Sequence, residues 1–405
     1  MIRVDTVLEG TAIQPRPYQR TIVTKVTDML GGRYVNGGGE QETAARSVMI
    51  ESPTGSGKTV MGFMIAKMLQ AEKKGTVIGW VAMRRDLLRQ AAKASKTLGI
   101  DIPDIHFVSM FNKSPRQLME AKDAGRPILL VVDEAQHDAA NSMAHLHNIL
   151  EPEKVLGLTA TPFRTDRVKL CFDKVVKDAG IHQLIQDGYL SPYRHFSIPR
   201  WDVDTVADFY CREPERWGRS IFYFLTKEEC RQLRDRLIER GHFQRYVRAL
   251  RDKDRRAIET FDPIIDGDSN RELQIDAYLA GESDKLINCM VLTEGFDDPS
   301  LQTAWVRDSV RGPTMQMAGR VFRQFPALAA KNVVQSRLTK HPMMKTAMPC
   351  EQYLWQADTW RALVVNPQLS HINNRARMAI ATADVEIPKF ITDRAGKTRA
   401  RRISF

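Results

Sequence analysis

The chain has 405 residues, a formal net charge of +11 and five cysteines, none of them in a Cys-x-x-Cys pair. That length suggests two or three domains, each with its own core, and the cysteine spacing argues against a disulfide framework or a thiolate zinc site. The charged first residues argue against a signal peptide. No apolar run approaches the roughly 20 residues of a membrane helix. The sequence therefore predicts a soluble cytoplasmic protein, of a bacterial or virus-infected cell, that is neither secreted nor membrane-bound.

In chain order, Gly31–Glu42 is glycine-rich and reads as a mobile loop. Four short apolar runs follow, Ser47–Ser52, Thr76–Met83, Pro127–Ala135 and Lys154–Pro162. Runs of this length suit strands buried on both faces of a parallel sheet. Between them, Val60–Lys74 and Arg85–Gly99 have apolar spacing near 3.6 residues and read as helices. After a connector around Gly188 to Asp204, a second strand–helix pattern begins with Arg219–Leu225. It continues with a helix over Lys227–Gly241 and strands over Lys285–Leu292 and Thr303–Val310. The basic stretch Arg245–Phe261 reads as an exposed helix. His341–Trp360 looks helical, and Asp393–Phe405 is basic and poor in apolar residues. Alternating strands and helices imply an α/β fold with right-handed crossovers.

Two stretches bear chemistry. Ser52–Thr59 lies between a strand and a helix, where backbone N–H groups and a helix N-terminus can hold phosphate. Gly55 and Gly57 let the backbone approach phosphate oxygens, Lys58 can reach the outer phosphates, and the Thr59 hydroxyl can ligate Mg²⁺. The first glycine of the usual G-x-x-x-x-G-K-[ST] spacing is replaced by Ser52. At Leu129–His137 an apolar strand ends in Asp133-Glu134. Asp133 can hold Mg²⁺ through water, and Glu134 can polarise an attacking water as general base.

Taken with "LTATPFR" (Leu158–Arg164), "LTEGFDDPS" (Leu292–Ser300), "QMAGRVFR" (Gln316–Arg323) and "RPYQR" (Arg16–Arg20), the chain resembles the superfamily 2 helicases and translocases. That group includes the DEAD/DEAH-box helicases and the type III restriction-enzyme motors. In it Ser52 is an ordinary variant of the first position, and Gln136 departs from the DEAH pattern. The resemblance implies two RecA-like parallel-sheet domains in tandem, at residues 1–190 and 191–330, followed by a basic, helical extension and tail at 331–405. It implies ATP and Mg²⁺ as cofactors. Thr54, Gly55, Ser56, Gly57, Lys58 and Thr59 would hold the phosphates, Gln19 would read adenine, and Gly295 and Asp297 would sense the nucleotide. Arg320 and Arg323, on one helix face, would act as arginine fingers, with Arg323 on the γ-phosphate. Gln136, Thr159, Thr161 and Gln316 would couple hydrolysis to domain closure.

Nucleic acid is the implied partner, DNA preferred over RNA, and no protein partner is indicated. Arg84, Arg85 and Ser109 fall where the family holds backbone phosphate, and a solvated helix face stays open as the alternative for the arginines. Residues 331–405 hold 13 Lys/Arg against 5 Asp/Glu, so most of the net charge lies there. Arg399, Arg401 and Arg402 in the tail are phosphate-binding candidates. Tyr353, Trp355 and Trp360 read either as a small core or as base-stacking groups, with the core preferred. An RNA helicase with the same core, and an ATP-switched binding module that does not move along its track, are the remaining readings. Nothing resembling a strand-separating wedge or a nuclease site stands out.

Overall fold

The apolar runs fold as strands of two parallel sheets. The computed structural model describes residues 3–137, 141–160, 172–177, 180–242, 246–251, 256–261, 264–265, 271–289 and 298–363. The first sheet contains β1 (Ser47–Glu51), β2 (Val77–Ala82), β3 (Ile105–Ser109), β4 (Ile128–Asp133), β5 (Lys154–Thr159) and β6 (Lys174–Val176). Its order is β3-β2-β4-β5-β1-β6 and every pairing is parallel. β2 and β4 are buried at every residue, as strands covered on both faces must be. Helices Pro17–Gly31 and Lys58–Glu72 cover one face, with Ile22, Val26, Phe63 and Trp80 in the core; Phe63 and Trp80 lie 4.5 Å apart between ring centroids. Helices Arg116–Asp123 and Asn141–Leu150 cover the other, through Leu118 and Leu146.

The second unit is built from β7 (Tyr193–Ile198), β8 (Ser220–Phe224), β9 (Tyr246–Arg251), β10 (Arg256–Phe261), β11 (Ile264–Ile265), β12 (Lys285–Cys289), β13 (Thr303–Trp305), β14 (Lys331–Ser336), β15 (Glu351–Gln356) and β16 (Thr359–Leu363). Eight of these form one sheet, β11-β12-β8-β13-β14-β7-β15-β16, parallel except for the β15–β16 pair. The helix after β8, Lys227–Glu239, starts at a reciprocal cap between Thr226 and Glu229. Its residues Leu233 and Leu237 join Trp217, Phe222 and Trp305 beneath one face. Met317, Val321 and Phe322 lie under the other.

Three expectations are corrected. Among the described residues after 330 the structure is mostly strand, with one 3₁₀ turn at Met343–Lys345: β14 is a central strand between β13 and β7, and β15–β16 is a hairpin on the same sheet. Its turn, Ala357-Asp358, has φ of 49° and 54°, as a two-residue hairpin with the strands' twist requires. Tyr353, Trp355 and Trp360 do form a core, but on strands: Tyr353 stacks on Phe196 at 4.8 Å and Trp355 meets Phe209 at 4.9 Å. The basic stretch Arg245–Phe261 contains the antiparallel ribbon β9–β10 in place of a helix. Its register sets Tyr246 opposite Phe261 and Arg248 opposite Glu259. The connector expected over Gly188–Asp204 contains β7, and the helix before it, Ile181–Gln186, already packs in the core of the second unit. The Gly31–Glu42 loop contains a turn, with Val35 bridged to Gln41 and the Asn36 side chain accepting from the N–H groups of Gly38 and Glu40.

Candidate nucleotide site between the two sheets

The phosphate loop leaves the carboxyl end of β1 and enters the helix Lys58–Glu72. Gly55 and Gly57 both have φ of 83°, in the left-handed region that favours glycine. A Cβ on Gly57 would also stand 2.5 Å from the Gln19 Nε2. Ser52 has a structural task that explains its place. Its N–H donates to the Thr159 carbonyl at 2.9 Å, and its hydroxyl donates to the Ser56 hydroxyl at 2.7 Å. Ser56 in turn donates to the Pro53 carbonyl at 2.6 Å. The loop is thus braced from inside, where a glycine could offer no side-chain bond. Lys58 Nζ donates to the carbonyls of Ser52 and Pro53 at 3.2 and 3.3 Å, curled back into the space a phosphate would take. Burial lowers its pKa, and the nearby Glu134 and Asp133 oppose that shift.

Asp133 ends β4 and is buried. Burial first, and the Glu134 carboxylate second, push its pKa up to about 7 against the pull of Lys58. Glu134 has φ of 55°, a left-handed conformation that costs a non-glycine residue about 1–3 kcal/mol and concentrates at functional sites. Gln136 Nε2 donates to Glu134 Oε2 at 3.1 Å, and the Thr159 hydroxyl donates to Gln136 Oε1 at 2.6 Å. Two of the four residues expected to couple hydrolysis to closure, Gln136 and Thr159, are therefore joined to each other and to the candidate base. Two carboxylates facing one ammonium in a buried site leave room electrostatically for a divalent cation, which would restore Asp133 to its ionised form. The residues present fit Mg²⁺ held by Thr59 and Asp133.

The second unit closes the site. Arg320 lies in a 3₁₀ turn, Gly319–Phe322, and Arg323 follows it directly. In a three-residue turn positions i and i+3 eclipse, so the pair reaches one side without the α-helix that was expected. Both line one cleft of about 990 Å³ with Thr54–Thr59, Asp133, Glu134 and Gln19. A Cβ on Gly319 would lie 3.1 Å from the Thr54 side chain, and one on Gly55 would lie 3.5 Å from the Arg323 stem. The first of these is tighter than an ordinary van der Waals contact and the second is an ordinary one, so the two units meet closely there.

Other predicted residues stand as follows. Gln19 is tied on both sides: its Oε1 accepts the Arg16 N–H at 2.9 Å and its Nε2 donates to the Ser56 carbonyl at 2.8 Å. Gln316, on the helix Arg311–Ala318, does not line the cleft. Arg84 is the half-buried cap of the helix Arg85–Thr97, and Arg85 is exposed in its first turn. The Ser109 hydroxyl accepts the Phe111 N–H at 3.3 Å. These three sit at the carboxyl ends of β2 and β3, the same edge as the phosphate loop and Asp133. Thr161, Gly295, Asp297, Arg399, Arg401 and Arg402 lie outside the described residues. Sequence reasoning missed Arg89 and Lys93, which line the cleft from the helix Arg85–Thr97, and Ile275 and Leu279 from the second unit. Only position on a helix facing the cleft marks them, and no motif does.

Residues 12–117 match the family model described as type III restriction enzyme, res subunit. A 51.5 kDa protein of a Lactococcus phage is 26% identical over 62% of this chain and 56% of its own length. The Saccharomyces cerevisiae protein named "Putative ATP-dependent helicase IRC3" is 24% identical over 69% of this chain and 46% of its own. The chain thus spans about half the length of the curated relatives it matches. Among solved structures, the ATP-dependent Type ISP restriction-modification enzyme LlaBIII bound to DNA superposes with a TM-score of 0.55 at 14% identity, over 93% of this chain and 30% of that one.

Proposed function

We propose, from its place among the superfamily 2 helicases and translocases, that the chain is a nucleic-acid-dependent ATPase that moves along DNA. The observation that carries the reading is the shared cleft, in which Lys58, Asp133 and Glu134 of one unit meet Arg320 and Arg323 of the other. Hydrolysis that needs groups from both units is tied to their closure, and cycles of closure and opening can advance a two-unit clamp along a phosphate backbone.

In this reading the phosphates displace the Ser52 and Pro53 carbonyls from Lys58 and take the N–H groups at the start of the helix Lys58–Glu72. Thr59 and Asp133 would hold Mg²⁺, which when bound neutralises charge on the phosphate oxygens. Glu134, oriented by Gln136, takes a proton from the attacking water. Arg320 and Arg323 stabilise the charge that develops on the transferred group. The adenine lies towards Arg16 and Gln19. Arg84, Arg85 and Ser109 hold backbone phosphate along the carboxyl edge of the first sheet, a contact that carries little sequence information. DNA as the track is supported by the Type ISP enzyme solved on DNA and by the restriction-enzyme family model over residues 12–117.

The test is ATP hydrolysis measured with single-stranded DNA, duplex, forked DNA and RNA. Stimulation by DNA is expected. Stimulation by RNA alone would overturn the choice of track, and hydrolysis indifferent to every nucleic acid would overturn the motor.

A further inference from the structure

The link Gly188–Ser191, which joins the helix Ile181–Gln186 to β7 within the second unit, is tied to the nucleotide site from both sides. Towards the second unit, the Ser191 N–H donates to the Phe322 carbonyl at 2.7 Å, and the Gln324 side chain donates to the Gly188 carbonyl. Phe322 stands between Arg320 and Arg323, so the link and the two arginines share one piece of backbone. Towards the first unit, the Tyr18 and Tyr189 rings lie 5.3 Å apart and tilted by 57°. Arg16 stands 5.1 Å over the Tyr189 ring and donates to the Tyr189 carbonyl at 3.3 Å. The Tyr18 hydroxyl donates to the Ser56 carbonyl, in the phosphate loop itself, at 2.6 Å. Tyr18 also packs against the cores of both units.

We infer that Tyr18 is a positioning residue that fixes the link Gly188–Ser191, and through it Arg320 and Arg323, against the phosphate loop. The path runs from Ser56 through the Tyr18 hydroxyl and ring to Tyr189, along two residues of backbone to Ser191, and across one hydrogen bond to Phe322. Tyr18, Tyr189 and Ser191 do not line the cleft. A small displacement of the arginines is enough to matter, because misplacing a catalytic group by about 1 Å can cost up to about 10²-fold in rate. The link is flanked by Leu184 and Leu190, both buried in the core of the second unit, so it has little slack with which to absorb a shift of Tyr189. When phosphate fills the loop and Ser56 moves, the ring of Tyr18 moves with it, and the signal reaches the arginines without passing through the nucleotide.

The inference rests on the hydrolytic reading of the cleft, and two measurements on the full chain separate them. The first is kcat and KM for ATP at saturating DNA in Tyr18→Ala and Tyr18→Phe. The second is the radius of gyration by small-angle X-ray scattering, which needs no turnover. Tyr18→Ala is expected to lower kcat about 10- to 100-fold with KM changed less than about threefold, and to enlarge the molecule as the units part. Tyr18→Phe keeps the ring and loses one hydrogen bond, so kcat falls about fivefold. A lower melting temperature with kcat per folded molecule and radius of gyration both at wild-type values would make Tyr18 a core residue only. If Tyr18→Ala does not fold, Tyr18→Phe decides by the same criterion. A wild-type chain without ATP hydrolysis would overturn the hydrolytic reading, while the scattering comparison would still decide the inference about the link.

Discussion

Glu134 is held in a backbone conformation that a non-glycine residue pays to adopt, and the surroundings show what holds it. Its N–H donates to Asp133 Oδ1 at 3.1 Å and its carboxylate accepts from Gln136. Replacing it by Gln keeps the volume and the capacity to accept from Gln136, and removes only the basic oxygen. Glu134→Gln is therefore expected to lower turnover about 10²- to 10⁴-fold while still binding ATP. The binding is read as a rise in melting temperature with nucleotide, since a ligand that binds only the folded state stabilises it. Lys58→Ala should lose both turnover and that rise, because nothing else in the loop supplies a positive charge to the outer phosphates. Near-normal turnover in Glu134→Gln would remove it from the role of base. At this scale the sequence was highly legible. Lys58, Asp133, Glu134, Arg320 and Arg323 meet in one cleft because their motifs tie residue type to strand end and turn. The Ser52–Ser56–Pro53 brace was not legible, since a hydroxyl in a loop has many partners within reach and only the folded loop selects one.

Among the elements, strands buried on both faces were easy to read because their apolar runs are continuous, as in β2 and β4. The strands after residue 330 were not. His341–Trp360 has three methionines and few β-branched residues, a composition whose local preference leans towards helix. What makes β15 and β16 strands is non-local: the open edge of β7 and the aromatic surface of Phe196, Phe209 and Trp217, on which the hairpin settles. Trp360 lies 5.1 Å from Phe196, 5.5 Å from Phe209 and 6.0 Å from Trp217. Tertiary contact overrides propensity here. Trp360→Ala should accordingly destabilise the second unit by about 2 kcal/mol, below the 3–5 of a fully buried tryptophan because the ring is only half-buried. Denaturant unfolding followed by a probe in the second unit measures it. A change within about 0.5 kcal/mol would mean that the hairpin is an attachment rather than part of that unit's core.

Across the whole molecule, charge is distributed very unevenly. Of the net +11, a net +8 comes from residues 331–405, and residues 394–405 alone contain five Lys/Arg and no Asp/Glu. Residues 364–405, which follow β16, carry a net +5 of the +11, and the two units through residue 363 carry the other +6 over a far longer stretch of chain. For the proposed motor we expect a division of labour, in which the cleft converts ATP into closure and the basic end holds DNA between closures. Each phosphate contact that releases a counterion adds about 0.9 to the salt slope on duplex DNA and about 0.7 on single strands. Deleting residues 394–405 should then weaken DNA binding and flatten the plot of log affinity against log salt by up to about 4, if all five charges meet phosphate. ATP hydrolysis at saturating DNA should stay within about twofold of the full chain, since the deleted residues add nothing to the rate once the track is bound. Titrations at several salt concentrations, with hydrolysis measured alongside, read both quantities on one preparation. An unchanged salt slope would reduce the basic end to a solvated tail and return the task of holding DNA to the core, where Arg84, Arg85, Arg89 and Lys93 would have to supply it.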